Sequence, residues 1–364
     1  MSAGECRSAH ASPPCRLLLP GDWHTPTGGY VYDRRIAAGL RELGWPVQVL
    51  ALDASFPFPT AEALARAEAA VAALPDGTPV ITDGLAFGAM PETAERHARR
   101  LRWVALVHHP LHLETGLAQA QRQALFASEA RALAAARRVV VTSVATAGHL
   151  AALGVPPGRI TVVEPGCDPA PLAAGSGEAG LNLLCVATLT PRKGHALLLD
   201  ALAGLGDRAW TLHCVGSLSR DAATAAQVRE AIGTLGLHGR VHLHGELDDA
   251  ALARRYDEAD AFVLASHFEG YGMVFAEALA HGLPVIGTRT GAAAQLVPPG
   301  AGVLVPPGDA AALRDALAAL MDDPRRRAAL AQGARAAREA LPSWQAACAR
   351  FAAVLDAVAA EAVP

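Results

Sequence analysis

The chain has 364 residues, 52% of them hydrophobic and 18% charged, which excludes general disorder and is long enough to bury two cores. Its 31 basic and 35 acidic residues give a formal charge of −4, and neither half carries the basic excess of a nucleic-acid-binding surface. No uncharged stretch is the apolar run of about 20 residues that a spanning helix needs, which excludes an integral membrane segment.

In chain order, the opening MSAGECRSAHASPPCRLLLPGDW has the three leucines at 17–19 as its longest apolar run, which predicts no secretory leader and a cytoplasmic protein. Short apolar runs at 16–19, 47–50, 79–82, 103–107, 138–142 and 160–163 read as strands, with helical patterns at 29–43, 60–74, 92–100, 119–136 and 143–153 between them. Strand and helix alternating in this way form a doubly wound parallel sheet. Residues 165–180, PGCDPAPLAAGSGEAG, break the pattern with proline and glycine and read as an interdomain linker. The alternation resumes with strands at 182–187, 210–215, 241–243, 261–265, 284–287 and 302–305 and helices at 194–205, 222–235, 248–258, 271–280 and 310–321. A last Ala-rich helix near 344–360 is expected to cross back to the first domain. The expected fold class is α/β: two tandem Rossmann-like doubly wound domains facing a cleft. The N-terminal domain is expected over 1–170 plus 343–364 and the C-terminal domain over 171–342.

Ligands of open parallel sheets bind at the carboxyl ends of strands, so the loops after strands carry the candidate chemistry. In 266–284, SHFEGYGMVFAEALAHGLP, a strand runs into a loop holding Glu269, Gly270 and Gly272, and the following helix carries Glu277. The glycines permit close approach of a ligand, and the amides of Tyr271, Gly272, Met273 and Val274 at the helix start favour an anion. Glu269 can accept from sugar hydroxyls and Glu277 from a vicinal diol such as a ribose. The plainer alternative makes Glu269 a helix cap and Glu277 a solvated side chain. In 188–199, TLTPRKGHALLL, Arg192 and Lys193 stand together after a strand, and Lys193 is the only lysine of the chain. A cationic pair there suits a pyrophosphate whose charge grows as it leaves, against the alternative of a solvated loop pair. The six cysteines, Cys6, Cys15, Cys167, Cys185, Cys214 and Cys348, show no C-x-x-C spacing, and His213, His242 and His244 show no H-x3-H spacing, so no metal site is expected.

These residues resemble the retaining glycosyltransferases of family 4, which have the GT-B fold. The resemblance is densest over 182–323 and rests on the R-K pair, the ADAFVLAS strand at 259–266, the E-x7-E element, GLPVIGT and the LVPPGD turn at 304–309. It implies transfer of a hexose from a UDP- or GDP-linked sugar to a small-molecule or glycan hydroxyl by front-face displacement, with no metal or other cofactor. Arg192 and Lys193 would stabilise the departing diphosphate, Glu269 would hold the sugar and Glu277 the ribose. In the first half, Gly28 and Gly29 resemble the family's glycine loop. VHHPLHL at 107–113 puts His108, or His109 one residue on, where the family has a histidine at the donor sugar. His109, Glu114 and Asp83 are the candidate acceptor contacts. The sequence departs from the family in the run GAAAQ at 291–295 and in PGCD at 165–168, which lacks the family's Asn. The implied partners are the nucleotide-sugar donor and the hydroxyl acceptor, with no nucleic acid; Arg325, Arg326 and Arg327 leave peripheral membrane contact open. The rival readings are a nucleotide-sugar epimerase or a phosphorylase of the same architecture, and a two-lobed small-molecule binding protein without chemistry.

Overall fold

A computed structural model describes residues 14–362 of the chain. Cys6 and the start of the segment that carries the leader expectation lie outside the described residues. The first sheet is built from β1 (Cys15–Pro20), β2 (Val47–Leu52), β3 (Pro79–Asp83), β4 (Arg102–Val107), β5 (Arg138–Val141) and β6 (Ile160–Val162), in the order β2-β1-β3-β4-β5-β6. The second is built from β7 (Leu181–Val186), β8 (Trp210–Val215), β9 (Val241–Gly245), β10 (Ala261–Leu264), β11 (Val285–Thr288) and β12 (Gly302–Val305), in the order β12-β11-β10-β7-β8-β9. Every strand pair is parallel.

Central parallel strands are covered on both faces by crossover helices, which is why they read as unbroken apolar runs. Every residue of β3 and β10 is buried. At the sheet edge β9 alternates instead, and turns His242 and His244 outward. Many of the intervening helices start at a residue that satisfies their free amides. Thr60, Ser143, Asp221, Asp248, Asp309 and Ser343 each accept from the backbone N–H three residues on.

The strand order reverses between β1 and β3 in the first sheet and between β7 and β10 in the second. Loops leaving adjacent strands in opposite directions open a crevice at such a point. The loop after β7, with Arg192 and Lys193, therefore faces the loop after β10, with Glu269. The start of the helix Gly28–Glu42 likewise lies beside the ends of β3 and β4.

Residues 163–177, between the sheets, form neither helix nor strand. The closing helix Trp344–Ala360 returns to the first sheet, where Phe351, Leu355 and Val358 are buried in one cluster with Leu17, Leu19, Ile36 and Leu40. Burying each such side chain contributes about 1.5–3 kcal/mol relative to exposure. Where this helix crosses Gly28–Glu42, Gly39 makes room for Cys348, since a Cβ there would lie 2.2 Å from the Cys348 Sγ. The helix Pro324–Ala337 stands outside the helical patterns read from the sequence, and the short helix Gly84–Phe87 is capped by Asp83. No helix among the described residues is long and apolar enough to cross a membrane.

Candidate active site

After β7 the chain makes a tight turn, Pro191–Lys193, which ends at Gly194 with φ 67°. A side chain at Gly194 is excluded by this left-handed backbone and by the Ala265 carbonyl oxygen, which a Cβ would approach to 2.0 Å. The close approach fixes the turn against the end of β10. His267 N donates to Arg192 O (2.8 Å), and Arg192 Nη1 donates to Phe268 O (3.0 Å). Lys193 Nζ donates to Glu269 Oε1 at 2.7 Å and Ser266 Oγ donates to the same oxygen at 2.6 Å, while Arg192 Nη1 stands 3.9 Å from Glu269 Oε2. Burial pushes the Glu269 carboxyl up, but the Lys193 and Arg192 charges and the two hydrogen bonds outweigh it and hold it below the usual carboxylate range. Glu269 is only 4% exposed, and Lys193 and Ser266 both bond its Oε1. Arg192 Nε also lies 3.3 Å from Glu114 Oε1, an ion pair between the two halves.

On the opposite wall His108 follows β4. Its Nε2 lies 3.0 Å from Asp33 Oδ1 and 3.6 Å from Asp83 Oδ2, and both carboxylates are buried. Tyr32 packs edge-on against the ring at 5.2 Å between centroids. Burial disfavours the charged imidazole, but the charge and hydrogen bond of Asp33, with the charge of Asp83, raise the His108 pKa above its ordinary value. Asp83 is pushed up by burial and then by the charge of Asp33, against the opposing His108 and the Leu85 amide. His109 turns to the other side. It packs on Phe268 at 4.6 Å between centroids and stands 3.8 Å from Glu114, while burial and the Arg192 charge hold its pKa well below the ordinary value. The two halves touch at the Glu269 loop itself. A Cβ on Gly270 would fall 2.2 Å from His108 O, and Ser143 Oγ donates to Gly270 O at 2.6 Å.

The cleft between these walls encloses about 470 Å³. Gly28, Gly29, His108, His109 and Glu114 line it from the first half, and Arg192, Lys193, Glu269, Gly270, Tyr271, Gly272, Met273 and Val274 from the second. Asp83 is not on that lining; it is buried behind His108 and caps the helix Gly84–Phe87. Glu277 faces an adjoining cavity of about 330 Å³ that shares Leu252 and Met273 with the cleft. Its Oε2 accepts from the Tyr256 hydroxyl at 2.8 Å, and burial raises its pKa despite that bond.

Sequence reasoning missed Asp33, Ser143, Tyr256 and Arg220, the last a further cation lining the cleft. Only Asp33 left a signal: an acid on the buried stripe of its helix, between Tyr32 and Ile36. Strand pairing also gathers side chains whose sequence spacing predicted no metal site. Cys185, His195 and Cys214 bring their ligand-type atoms within 4.8 Å of one another, and His213 Nδ1 lies 2.8 Å from His244 Nε2 beside His242. None of these six lines the cleft.

Residues 175–337 match the family model for glycosyl transferases group 1, and residues 80–171 match that for glycosyltransferase family 4. The D-inositol 3-phosphate glycosyltransferase of Thermobispora bispora is 35% identical over 240 residues, covering 60% of this chain and 55% of that protein. The MMP alpha-(1->4)-mannosyltransferase of Mycolicibacterium hassiacum is 29% identical over 269 residues, covering 70% of this chain and 64% of that protein. The chain thus spans less than two thirds of the length of these relatives. Among solved structures, a sucrose-phosphate synthase from Thermosynechococcus elongatus superposes with a TM-score of 0.79 over 94% of this chain and 99% of that one, at 22% identity. HepE from Anabaena, in complex with UDP and glucose, gives 0.74 over 94% and 99%, at 19% identity. At those identities the likeness establishes the fold, two facing α/β domains of the GT-B type. The two family models together take in strands of both sheets and both walls of the cleft, and on that ground the chain belongs to glycosyltransferase family 4, the group 1 glycosyl transferases.

Proposed function

We propose that the protein transfers a hexose, with retention, from a nucleoside-diphosphate sugar to a hydroxyl of a small polyol or glycan, without a metal ion. One observation carries the reading: the Arg192–Lys193 turn, held by Glu269, stands across the cleft from His108. Negative charge grows on the diphosphate as its bond to the anomeric carbon breaks, and fixed cations at that place stabilise the transition state more than the ground state. Arg192 and Lys193 supply them, and the diphosphate takes the place of Glu114 at Arg192.

The acceptor oxygen bonds to the anomeric carbon on the face that the diphosphate leaves. The acceptor's proton passes to the departing phosphate oxygen, so no protein nucleophile takes part. His108 contacts the sugar near the reacting carbon, with Gly28 and Gly29 beside it. Glu269 Oε2, the oxygen not taken by Lys193 and Ser266, accepts from a sugar hydroxyl. Glu277 accepts from the ribose, and the amides from Tyr271 to Val274 face the phosphates. His109 and Glu114 line the acceptor side with Thr27 and Thr142, and the described first-half residues lining the cleft include no Arg or Lys, which suits a hydroxyl compound. The N-terminal unit, 1–170 with 343–364, would take the acceptor and 171–342 the donor. HepE is solved with UDP and glucose and the curated relatives are named for inositol-phosphate glycosyl and mannosyl transfer, so UDP- and GDP-linked hexoses are the donors to test first.

Thermal-shift titration with UDP, GDP, ADP and their sugars tests the reading. A ligand at 100 times its Kd adds about 2.7 kcal/mol of stability. A shift with one nucleotide, abolished by Glu277→Ala, supports a nucleotide-sugar site. No shift with any nucleotide overturns it in favour of a binding protein for another ligand.

A further inference from the structure

Behind the first-half wall of the cleft, two buried carboxylates share one imidazole, and the transfer chemistry above gives them no task. The helix Gly28–Glu42 buries Tyr32, Asp33, Ile36, Ala37 and Leu40 on one face. A carboxylate on such a stripe is costly unless a cation meets it. The group that meets Asp33 is His108, whose Nε2 lies 3.0 Å from Asp33 Oδ1, while Asp33 Oδ2 has no hydrogen-bond partner among the described residues. Asp83 reaches the same Nε2 at 3.6 Å and spends its Oδ1 on the Leu85 amide. Among the described residues Nδ1 of His108 makes no hydrogen bond, so it is the ring nitrogen left for a ligand in the cleft. Two uncharged groups also pack on the ring: the edge of Tyr32, and Gly29, whose Cβ would lie 3.5 Å away. His109, the next residue, turns to Glu114 and Phe268 instead.

We propose that Asp33 is a positioning residue for His108: it anchors Nε2–H and balances the charge of the ring, so that Nδ1–H is presented to the cleft as a hydrogen-bond donor to the transferred sugar. This rests on the donor-sugar reading of the cleft. Asp33 does not itself line the cleft and acts only through the imidazole. Asp83 stands behind the same nitrogen, buried, with its Oδ2 3.6 Å from Nε2.

The test uses the full chain labelled with 15N in its histidine rings, in which NMR reports both the tautomer and the titration of His108 without any turnover. The expected result is a ring whose Nε2 stays protonated and which loses its other proton above the ordinary histidine value of about 6.5. Asp33→Asn is expected to lower that midpoint. In steady-state transfer the same variant is expected to lower kcat about tenfold, the scale of one charge-assisted hydrogen bond, while leaving the donor KM within about threefold. The basic limb of its kcat profile should move to lower pH, because the donor form of the ring is lost earlier. An unchanged midpoint and an unchanged pH profile in Asp33→Asn would overturn the proposal. So would a wild-type ring that keeps its proton on Nδ1 instead, a result that needs no variant to fold. The three side chains lie within 4.8 Å of one another, a spacing a divalent cation could use, and a His108 resonance displaced by added Zn²⁺ would overturn the proposal in favour of a cation site. A ring that behaves as expected in a protein binding no nucleotide would show that the donor reading had failed and the positioning of His108 had not.

Discussion

Lys193 Nζ lies 2.7 Å from Glu269 Oε1, and together with the bonds between Arg192 and residues His267 and Phe268 this contact joins the two diverging loops of the second sheet. Lys193→Ala is expected to lower kcat/KM by about one to two orders of magnitude, the scale of a charge-assisted contact worth about 1.5–3 kcal/mol. It also leaves Glu269 buried with less compensation, so the melting temperature should fall. The Glu269 pKa is held low in the folded state, so this stabilisation is present above the unfolded carboxyl value of about 4.3 and is lost as the pH falls through the lower folded value. Urea unfolding of wild type and variant should therefore converge in acid. Near-normal turnover would remove Lys193 from the reaction.

Glu277 and Tyr256 form a second testable pair. Glu277→Ala is expected to abolish nucleotide binding. Tyr256→Phe, which removes only the hydroxyl that donates to Glu277, should weaken the nucleotide Kd about three- to tenfold. Burial raises the Glu277 pKa, so nucleotide affinity should fall as the pH drops through that raised value and the carboxylate gains a proton. Calorimetric titration of the nucleotide between mildly acid and mildly alkaline buffer reads both effects.

Asp83 gives a prediction of opposite sign. Burial and the neighbouring Asp33 raise its pKa to about 7, so the stabilisation by its folded-state proton is fully present below the unfolded value of about 3.9 and is lost progressively as the pH rises from there to about 7. Asp83→Asn has the shape of the protonated acid and keeps an oxygen for the Leu85 amide. It should approach wild-type stability as the pH falls to about 4 and exceed it at about pH 8. Equal urea midpoints at both values would show that Asp83 carries no such strain.

Gly39→Ala isolates the docking of the closing helix. In an unobstructed helix interior the change would stabilise by about 1 kcal/mol. Here the new methyl meets Cys348 Sγ at 2.2 Å and its Cβ at 2.8 Å, so a net loss of about 1–3 kcal/mol is expected. Cys348→Ala in the same chain should recover part of it, measured by chemical denaturation.

The strands and the Arg192–Lys193 and Glu269 loops were legible because their signals are local: apolar runs of strand length followed by glycine-rich or cationic turns. Asp33 was out of reach because its partner His108 lies 75 positions away, and its helix shows only an acid where an apolar residue belongs. The position of Glu277 on its helix followed from the sequence, but the cavity it faces did not. That depends on Tyr256, which arrives from a different helix. The meeting of Cys185, Cys214 and His195 has the same origin, since β7 and β8 pair across a crossover helix whose length hides which residues become neighbours.

Gly270 O accepts from both Ser143 (2.6 Å) and Thr146 (3.4 Å), so the two halves of the molecule are joined at the loop that bears Glu269. The same loop carries Glu269, whose Oε1 accepts from Lys193, so Ser143 of the first half and Lys193 of the second hold one short stretch of chain from opposite sides.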